Sequence, residues 1–253
     1  MPALFDVDAK INAAEVERAF GSVAKDLRDW ALADTMTLLA GRVKSNQVAV
    51  MKQRLDRPTP YTLGGLSVQP ATPRHPVARI WHKDGATKGT ASGRYLLPEA
   101  EGGQRPQKRM ERALSHYGML RKGGAAIPAP GAPLDAYGNV KRADVVRVLS
   151  ALRAFQEQGY SANRSNSKRS QRNAAKNDFF ITEIEGQRAI WKRERFALGE
   201  GLKPIFWLVD SMPRYRVRYP FWKIAENTVA AHYDSILSAQ MQRAVNRAGG
   251  RAG

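Results

Sequence analysis

The four histidines are the first residues to weigh for chemistry, because imidazole serves both as a metal ligand and as an acid–base group. They are His75, His82, His116 and His232. They are widely spaced, and no HExxH motif or adjacent pair of acids accompanies them. The absence of cysteine excludes a disulfide, a thiolate zinc site and an iron–sulfur cluster. We therefore expect no metal and no cofactor.

Catalytic signatures of other kinds are also missing from the sequence. No GxxxxGK[ST] loop, no GxGxxG turn after a strand and no GxSxG elbow occurs. Asp135 and Asp144 are isolated, and Glu99 and Glu101 stand alone, whereas a two-metal nuclease gathers several carboxylates. The sequence predicts no catalytic residues and no enzyme, with a metal-dependent nuclease as the least favoured alternative.

Charge is the strongest compositional signal in this chain of 253 residues. Lys and Arg number 41 against 23 Asp and Glu, a formal charge of +18, which favours an anionic partner such as nucleic acid or an acidic protein. Residues 160–177 contain five basic residues and no acid, which is typical of an exposed basic arm. Contact of this arm with DNA phosphates and contact with an acidic partner both remain open. The basic residues are Arg164, Lys168, Arg169, Arg172 and Lys176.

A second candidate site is the sequence RYRVRYPF at 214–221, in which arginines alternate with aromatic or apolar residues. In an extended strand the arginines would share one face and the other residues the opposite face. Arginine and aromatic residues are enriched at protein interfaces, so the pattern predicts a docking strand that Pro220 ends. The predicted contact residues are Arg214, Tyr215, Arg216, Arg218, Tyr219 and Phe221.

Hydrophobic periodicity predicts the elements that carry these residues. An apolar stripe that includes Trp30 and Leu38 predicts one long or two short helices over residues 12–55. The other predicted elements are a strand at 77–83, a helix around Met110–Tyr117, a helix at 141–159, strands Phe179–Glu185, Ala189–Phe196 and Leu202–Asp210, and a helix at 221–247.

Together these elements predict an α+β fold. We expect a small, mostly antiparallel sheet formed by 77–83 and 179–219, packed by the long N- and C-terminal helices. The predicted organisation is N-terminal helices and first strand at 1–93, an inserted helical subdomain with a Gly/Pro-rich connector and the basic arm at 94–177, and strands with the C-terminal helix at 178–253. We expect no signal peptide and no membrane span, because no long apolar run occurs.

Three stretches of the sequence resemble the neck and minor tail proteins of tailed bacteriophages, nearest the tail completion family, the Z-type minor tail protein of lambda-like phages. The first is the amphipathic N-terminal helix before PVARIWHKDG. The second is YLLPEAEGGQRPQKRMERAL with LDAYGNVKRADVVRVLSALRAF, and the third is PRYRVRYPFWKIAENTVAAHYDSILSAQMQRAV.

The resemblance implies a non-enzymatic structural protein of the virion neck or tail, present in the host cytoplasm during assembly. It would complete the tail and help join it to the head by forming a ring of its own copies and docking on neighbouring neck or tail proteins. The packaged DNA is a further partner left open, and no membrane is implied. The alternative from the residues themselves is a sequence-nonspecific DNA-binding protein.

Overall fold

The fold is α+β, as the sequence predicts. A computed structural model of the protein describes residues 5–6, 25–85, 89–154, 167–168, 178–196 and 199–249. In chain order the elements are β1 (Phe5–Asp6), α1 (Lys25–Arg54), α2 (Pro60–Leu63), β2 (Leu66–Gln69), β3 (Arg79–His82), α3 (Gly93–Glu101), β4 (Gly103–Gln104), α4 (Arg109–His116), β5 (Ala125–Pro128), α5 (Arg142–Ala151), β6 (Phe179–Ile184), β7 (Gln187–Phe196), β8 (Gly199–Val209), β9 (Arg214–Tyr215) and α6 (Phe221–Gly249).

The chain divides into two compact units, and the second is inserted into the first. Unit 1 consists of Met1–Gly103 and Arg216–Gly253, and unit 2 of Gln104–Tyr215. An insertion is what the sequence predicts, but its bounds differ from the expected 94–177. The insert is also not purely helical, because strands β6 to β8 form one sheet with β5 inside unit 2.

Unit 1 is built on an antiparallel pair of long helices. In the second half of α1, the Asn46 side chain donates to the Thr228 hydroxyl of α6 at 2.9 Å. In the first half of α1, Ala31 packs against Met241 and Ala244, near the end of α6. The buried contact residues include alanines, and small side chains allow two helix axes to approach closely. The pair therefore places the start of α6 beside the end of α1.

A three-stranded antiparallel sheet, in the order β1–β3–β2, completes unit 1. Leu66 of β2 and Ile80 of β3 are buried in one core with Met51 of α1 and Leu96 of α3. The same core is closed by residues that follow the insert in sequence, Tyr219 and the first turn of α6. Unit 1 is therefore complete only when the chain returns from unit 2.

Unit 2 is a four-stranded antiparallel sheet, in the order β5–β8–β7–β6, whose core also takes in α4 and α5. Ala126, Ile190, Phe206 and Leu208 from the sheet pack with Leu114 of α4, all in one cluster. Alternate residues of a strand share a face, so one face of the sheet supplies these core side chains.

A buried carboxylate ties the elements of unit 2 together. Glu111, only 1% exposed, accepts two hydrogen bonds from the Arg105 guanidinium at 2.7 and 2.5 Å. It also accepts from the backbone N–H of Lys108 at 2.6 Å and of Ala126 at 3.2 Å. Burial alone would raise the pKa of Glu111, but these donors outweigh it and hold the pKa below its usual range. The carboxylate thus joins the segment before α4, α4 itself and β5.

One sequence prediction about packing is wrong. Residues 77–83 and 179–219 do not form one sheet, because β3 pairs with β1 and β2 in unit 1, whereas β6 to β8 share a sheet with β5 in unit 2. The stripe that predicts α1 includes Trp30 and Leu38, and both are exposed, at 56% and 45%, because the packed face of α1 consists largely of Ala, Thr, Met and Gln. The helix predicted at 141–159 ends at Ala151, since Arg153 adopts a left-handed φ of 55°.

None of the helices in the described part of the chain combines the length and the apolarity that crossing a membrane requires.

We expect Glu111→Gln to lower the free energy of unfolding of unit 2 by about 3 kcal/mol or more, because it leaves the Arg105 guanidinium buried without a counter-charge. Chemical denaturation followed by circular dichroism measures this loss. The control is Glu183→Gln at an exposed strand position, for which little change is expected. Equal stability of the two variants would contradict the structural role of the Glu111 carboxylate.

Candidate docking surface

The predicted docking strand is only partly a strand. Arg214 and Tyr215 form β9, whereas the residues from Arg216 to Pro220 have no regular secondary structure before α6 begins. All three arginines of the segment are exposed, as the alternation predicts. The boundary between the two units falls between Tyr215 and Arg216.

Tyr219 and Phe221 correct the prediction that every aromatic residue of this segment contacts a partner. They are 0% and 4% exposed and belong to the core of unit 1. The Tyr219 ring meets the Phe221 ring edge-on at 6.1 Å. These residues present no surface to a partner, because the bulk of a buried aromatic ring is more stable inside the core than in water. Their role is to anchor the segment.

The backbone before Tyr219 is also fixed. The N–H groups of Arg218 and Tyr219 both donate to the carbonyl oxygen of Glu99, at 2.9 and 3.1 Å. The Arg218 Nε atom lies 3.7 Å from Glu99 Oε2. Burial raises the pKa of the Glu99 carboxyl, and the nearby Arg218 charge opposes that rise. The end of α3 thus holds the chain in place just ahead of α6.

A short exposed segment therefore lies directly before residues that are fixed in the core of unit 1. Arg216, Val217 and Arg218 are all exposed, with Val217 at 51%, and we call these three residues the arginine segment. An apolar side chain between two guanidinium groups, immediately before two buried anchors, loses little conformational entropy on binding. That combination suits a preorganised contact with another protein.

Tyr215 and Arg214, on the unit 2 side of the boundary, are placed differently. Arg214 is exposed and Tyr215 is half-buried. Tyr215 belongs to the surroundings of Arg105: Glu111, first, and then Tyr215 raise the pKa of the Arg105 guanidinium. Tyr215 therefore lies near the buried ion pair of unit 2, a position that the sequence does not reveal.

Most of the predicted basic arm falls outside the described residues. Lys168 is described and is exposed. The other four, Arg164, Arg169, Arg172 and Lys176, lie outside the described residues.

His82 packs beside Tyr219 and Phe221, and the sequence analysis did not predict this. Its ring lies 4.8 Å from the Phe221 ring and 6.0 Å from the Tyr219 ring, centroid to centroid. Its Nε2 atom is buried and, among the described residues, has no hydrogen-bond partner. Burial lowers the pKa of His82 to about 4, so the imidazole is neutral near pH 7. The alternation of the strand at 77–83 gave no sign of this aromatic neighbourhood.

A small cavity of about 20 Å³ lies beside His82, roughly the space of one water molecule. Its lining also includes Trp81, Leu97, Glu101 and Trp222. Within the described part of the chain, no group of three or more His, Asp or Glu side chains is arranged to hold a metal ion.

Comparison with known proteins found no match to this chain among family models, curated proteins or solved structures.

We expect Tyr219→Phe to raise the free energy of unfolding by about 1 kcal/mol, because the buried hydroxyl has no hydrogen-bond partner among the described residues. Thermal and chemical denaturation measure the change. Tyr137→Phe, at an exposed position, is the control, with little change expected. A loss of stability in Tyr219→Phe would show instead that the hydroxyl is bonded.

We expect the free energy of unfolding to fall by up to about 3 kcal/mol as the pH drops from 6.5 to 4. The pKa of His82 is about 4 in the fold and 6.5 in the unfolded chain, so protons bind the unfolded chain preferentially. The stability that neutral His82 contributes is fully present above pH 6.5 and is lost as the pH falls toward 4. Chemical denaturation at a series of pH values measures how the free energy of unfolding changes with pH.

His82→Phe should remove this part of the pH dependence, because phenylalanine keeps the ring packing and does not titrate. His75→Phe, at an exposed position, should leave the slope unchanged. An unaltered slope between pH 6.5 and 4 in His82→Phe contradicts the assignment.

Proposed function

We propose that the protein is a non-enzymatic structural subunit of a tailed-phage particle. In this role it completes the tail or neck and helps to join the tail to the head. It acts by associating with its own copies, as a ring, and by docking on neighbouring neck or tail proteins. Its place of action is the virion, after assembly in the host cytoplasm.

The observation that carries this proposal is the arginine segment, Arg216–Arg218. It is exposed, yet Tyr219, Phe221 and two hydrogen bonds to the Glu99 carbonyl oxygen fix its position. Arginine is enriched at interfaces, and a backbone that is already held at Arg218 and Tyr219 loses less conformational entropy on association. The same stretch, PRYRVRYPFWK, carries part of the resemblance to tail completion proteins.

Exposed apolar side chains on α1 give independent support. Trp30 is 56% exposed and Leu38 is 45% exposed, although both belong to a stripe of helical period. Burying a large exposed apolar side chain against another subunit is favourable, by roughly 25 cal/mol per Å² of apolar surface removed from water. Heterologous contacts of this kind between identical subunits close into a ring when the rotation between them permits.

The test is the double variant Arg216→Glu with Arg218→Glu, produced in place of the wild-type chain during infection. We expect the protein to stay folded, with infectious particles reduced about tenfold or more, because reversing two interface charges costs well over 1.4 kcal/mol. Particle titre and electron microscopy of the lysate measure the effect.

The matched control is Lys141→Glu with Arg142→Glu, which makes the same change of charge at exposed positions in unit 2. Wild-type particle numbers are expected from this control. Normal numbers of infectious particles from the Arg216 and Arg218 double variant would falsify the assignment of the arginine segment.

A further inference from the structure

The exposed face of α4 carries a row of basic side chains. Arg109, Arg112 and His116 stand three and four residues apart, and all three are exposed. This spacing places them on one side of the helix, over roughly 10 Å of its axis. Met110 and Leu114 lie on the opposite side and are buried in the core of unit 2.

The one acid of α4 does not offset this row. Glu111 points into unit 2, where Arg105 and two backbone N–H groups satisfy its carboxylate. Its negative charge is therefore neutralised internally. A sequence count of charges on α4 underestimates how basic its outer face is.

The loop after α4 extends the basic surface. Arg121 and Lys122 are exposed, and Arg188 of β7 donates to the Met119 carbonyl oxygen of this loop at 3.1 Å. Tyr117 is 41% exposed, and its ring meets the His116 ring edge-on at 5.1 Å. We call Arg109, Arg112, His116, Arg121, Lys122 and Arg188 together the α4 basic surface.

Few carboxylates balance these cations. Arg121 lies 3.6 Å from Asp210, in a pair that is exposed on both sides and so contributes little. Among the described residues, no carboxylate pairs with Arg109, Arg112 or Lys122. Unit 2 as a whole has 21 Lys and Arg against 10 Asp and Glu, a formal charge of +11.

We propose that the α4 basic surface binds the phosphate backbone of double-stranded DNA without sequence preference. Arginine is the side chain best suited to phosphate, and its planar guanidinium forms paired hydrogen bonds with it. Arg109 and Arg112 carry the charge of the row, and a ring N–H of His116 extends it to about 10 Å, which matches about three base pairs of one strand at about 3.4 Å each. Protein surfaces usually interleave both signs of charge, whereas the outer face of α4 carries two arginines and no exposed acid, which suits a uniform line of negative charge.

The binding is independent of the assembly function proposed above, because the arginine segment lies in unit 1. Fluorescence anisotropy of a labelled 25-base-pair duplex with the full chain, from 50 to 200 mM NaCl, measures affinity and its salt dependence. The test variant is Arg109→Gln with Arg112→Gln and Lys122→Gln. The control, Lys141→Gln with Arg142→Gln and Arg153→Gln, removes the same charge from exposed positions at and around the two ends of α5.

We expect the test variant to bind DNA about tenfold more weakly at 100 mM NaCl. The slope of log affinity against log salt should fall in magnitude by about 2 to 3, since each lost phosphate contact accounts for about 0.9. The control should change both quantities much less. If the triple variant melts early, Arg112→Gln alone replaces it, with an expected slope change of about 1.

Three results overturn the proposal. The first is the absence of measurable binding by the wild-type chain at 50 mM NaCl, and the second is an equal loss in test and control variants. The third is competition by poly-glutamate at least as effective, charge for charge, as competition by unlabelled duplex, which would identify an acidic protein as the partner. Each can occur whether or not the Arg216 and Arg218 variant assembles particles.

Discussion

The burial of Tyr219 and Phe221 is the constraint on which the arrangement of unit 1 depends. These rings come after the 112-residue insert in the sequence, yet they close a core begun by α1, β2, β3 and α3. The Gln47 side chain donates to the Phe221 carbonyl oxygen at 2.7 Å, across 174 positions of sequence. Contacts between such distant residues require the closure of a long loop, which lowers the conformational entropy of the chain. The burial of two aromatic rings offsets this loss. The exposed arginine segment has a defined conformation because Tyr219 and Phe221, which follow it, are held in the core.

Unit 2 depends on a different kind of constraint, a buried charge. Glu111 and Arg105 satisfy each other at the point where α4 begins, and Glu111 adds a hydrogen bond to β5. A buried pair of this kind contributes little net stability but makes alternative arrangements costly, because breaking it leaves a charge without a partner. Turning the acid inward also leaves the outside of α4 basic. One interaction thus fixes the local fold and sets the charge of a surface.

The sequence predicted the parts of the fold that follow from local pattern. Short strand-like segments rich in apolar residues located the strands β6 to β8, and helical periodicity located α4 and α6. Long-range pairing could not be predicted from local pattern. The strand β5 lies in a segment that its Gly, Pro and Ala content marks as a connector, and its partners in β8 are 78 to 84 positions away. The packed face of α1 was missed because Thr35 and Gln47 are buried there, whereas periodicity favours the large apolar Trp30 and Leu38. The exposure of Arg214, Arg216 and Arg218 was foreseen, but the burial of Tyr219 required knowledge of His82 and Phe221 beside it.

Quantitative mass spectrometry of gradient-purified particles tests directly whether the protein works by packing against other subunits of an assembled virion. Labelled reference peptides from unit 1 and unit 2 would count copies of the chain against the major capsid protein. We expect both sets of peptides in one fixed ratio, corresponding to a small whole number of copies per particle in every preparation. Particles that are infectious and contain none of these peptides would contradict it.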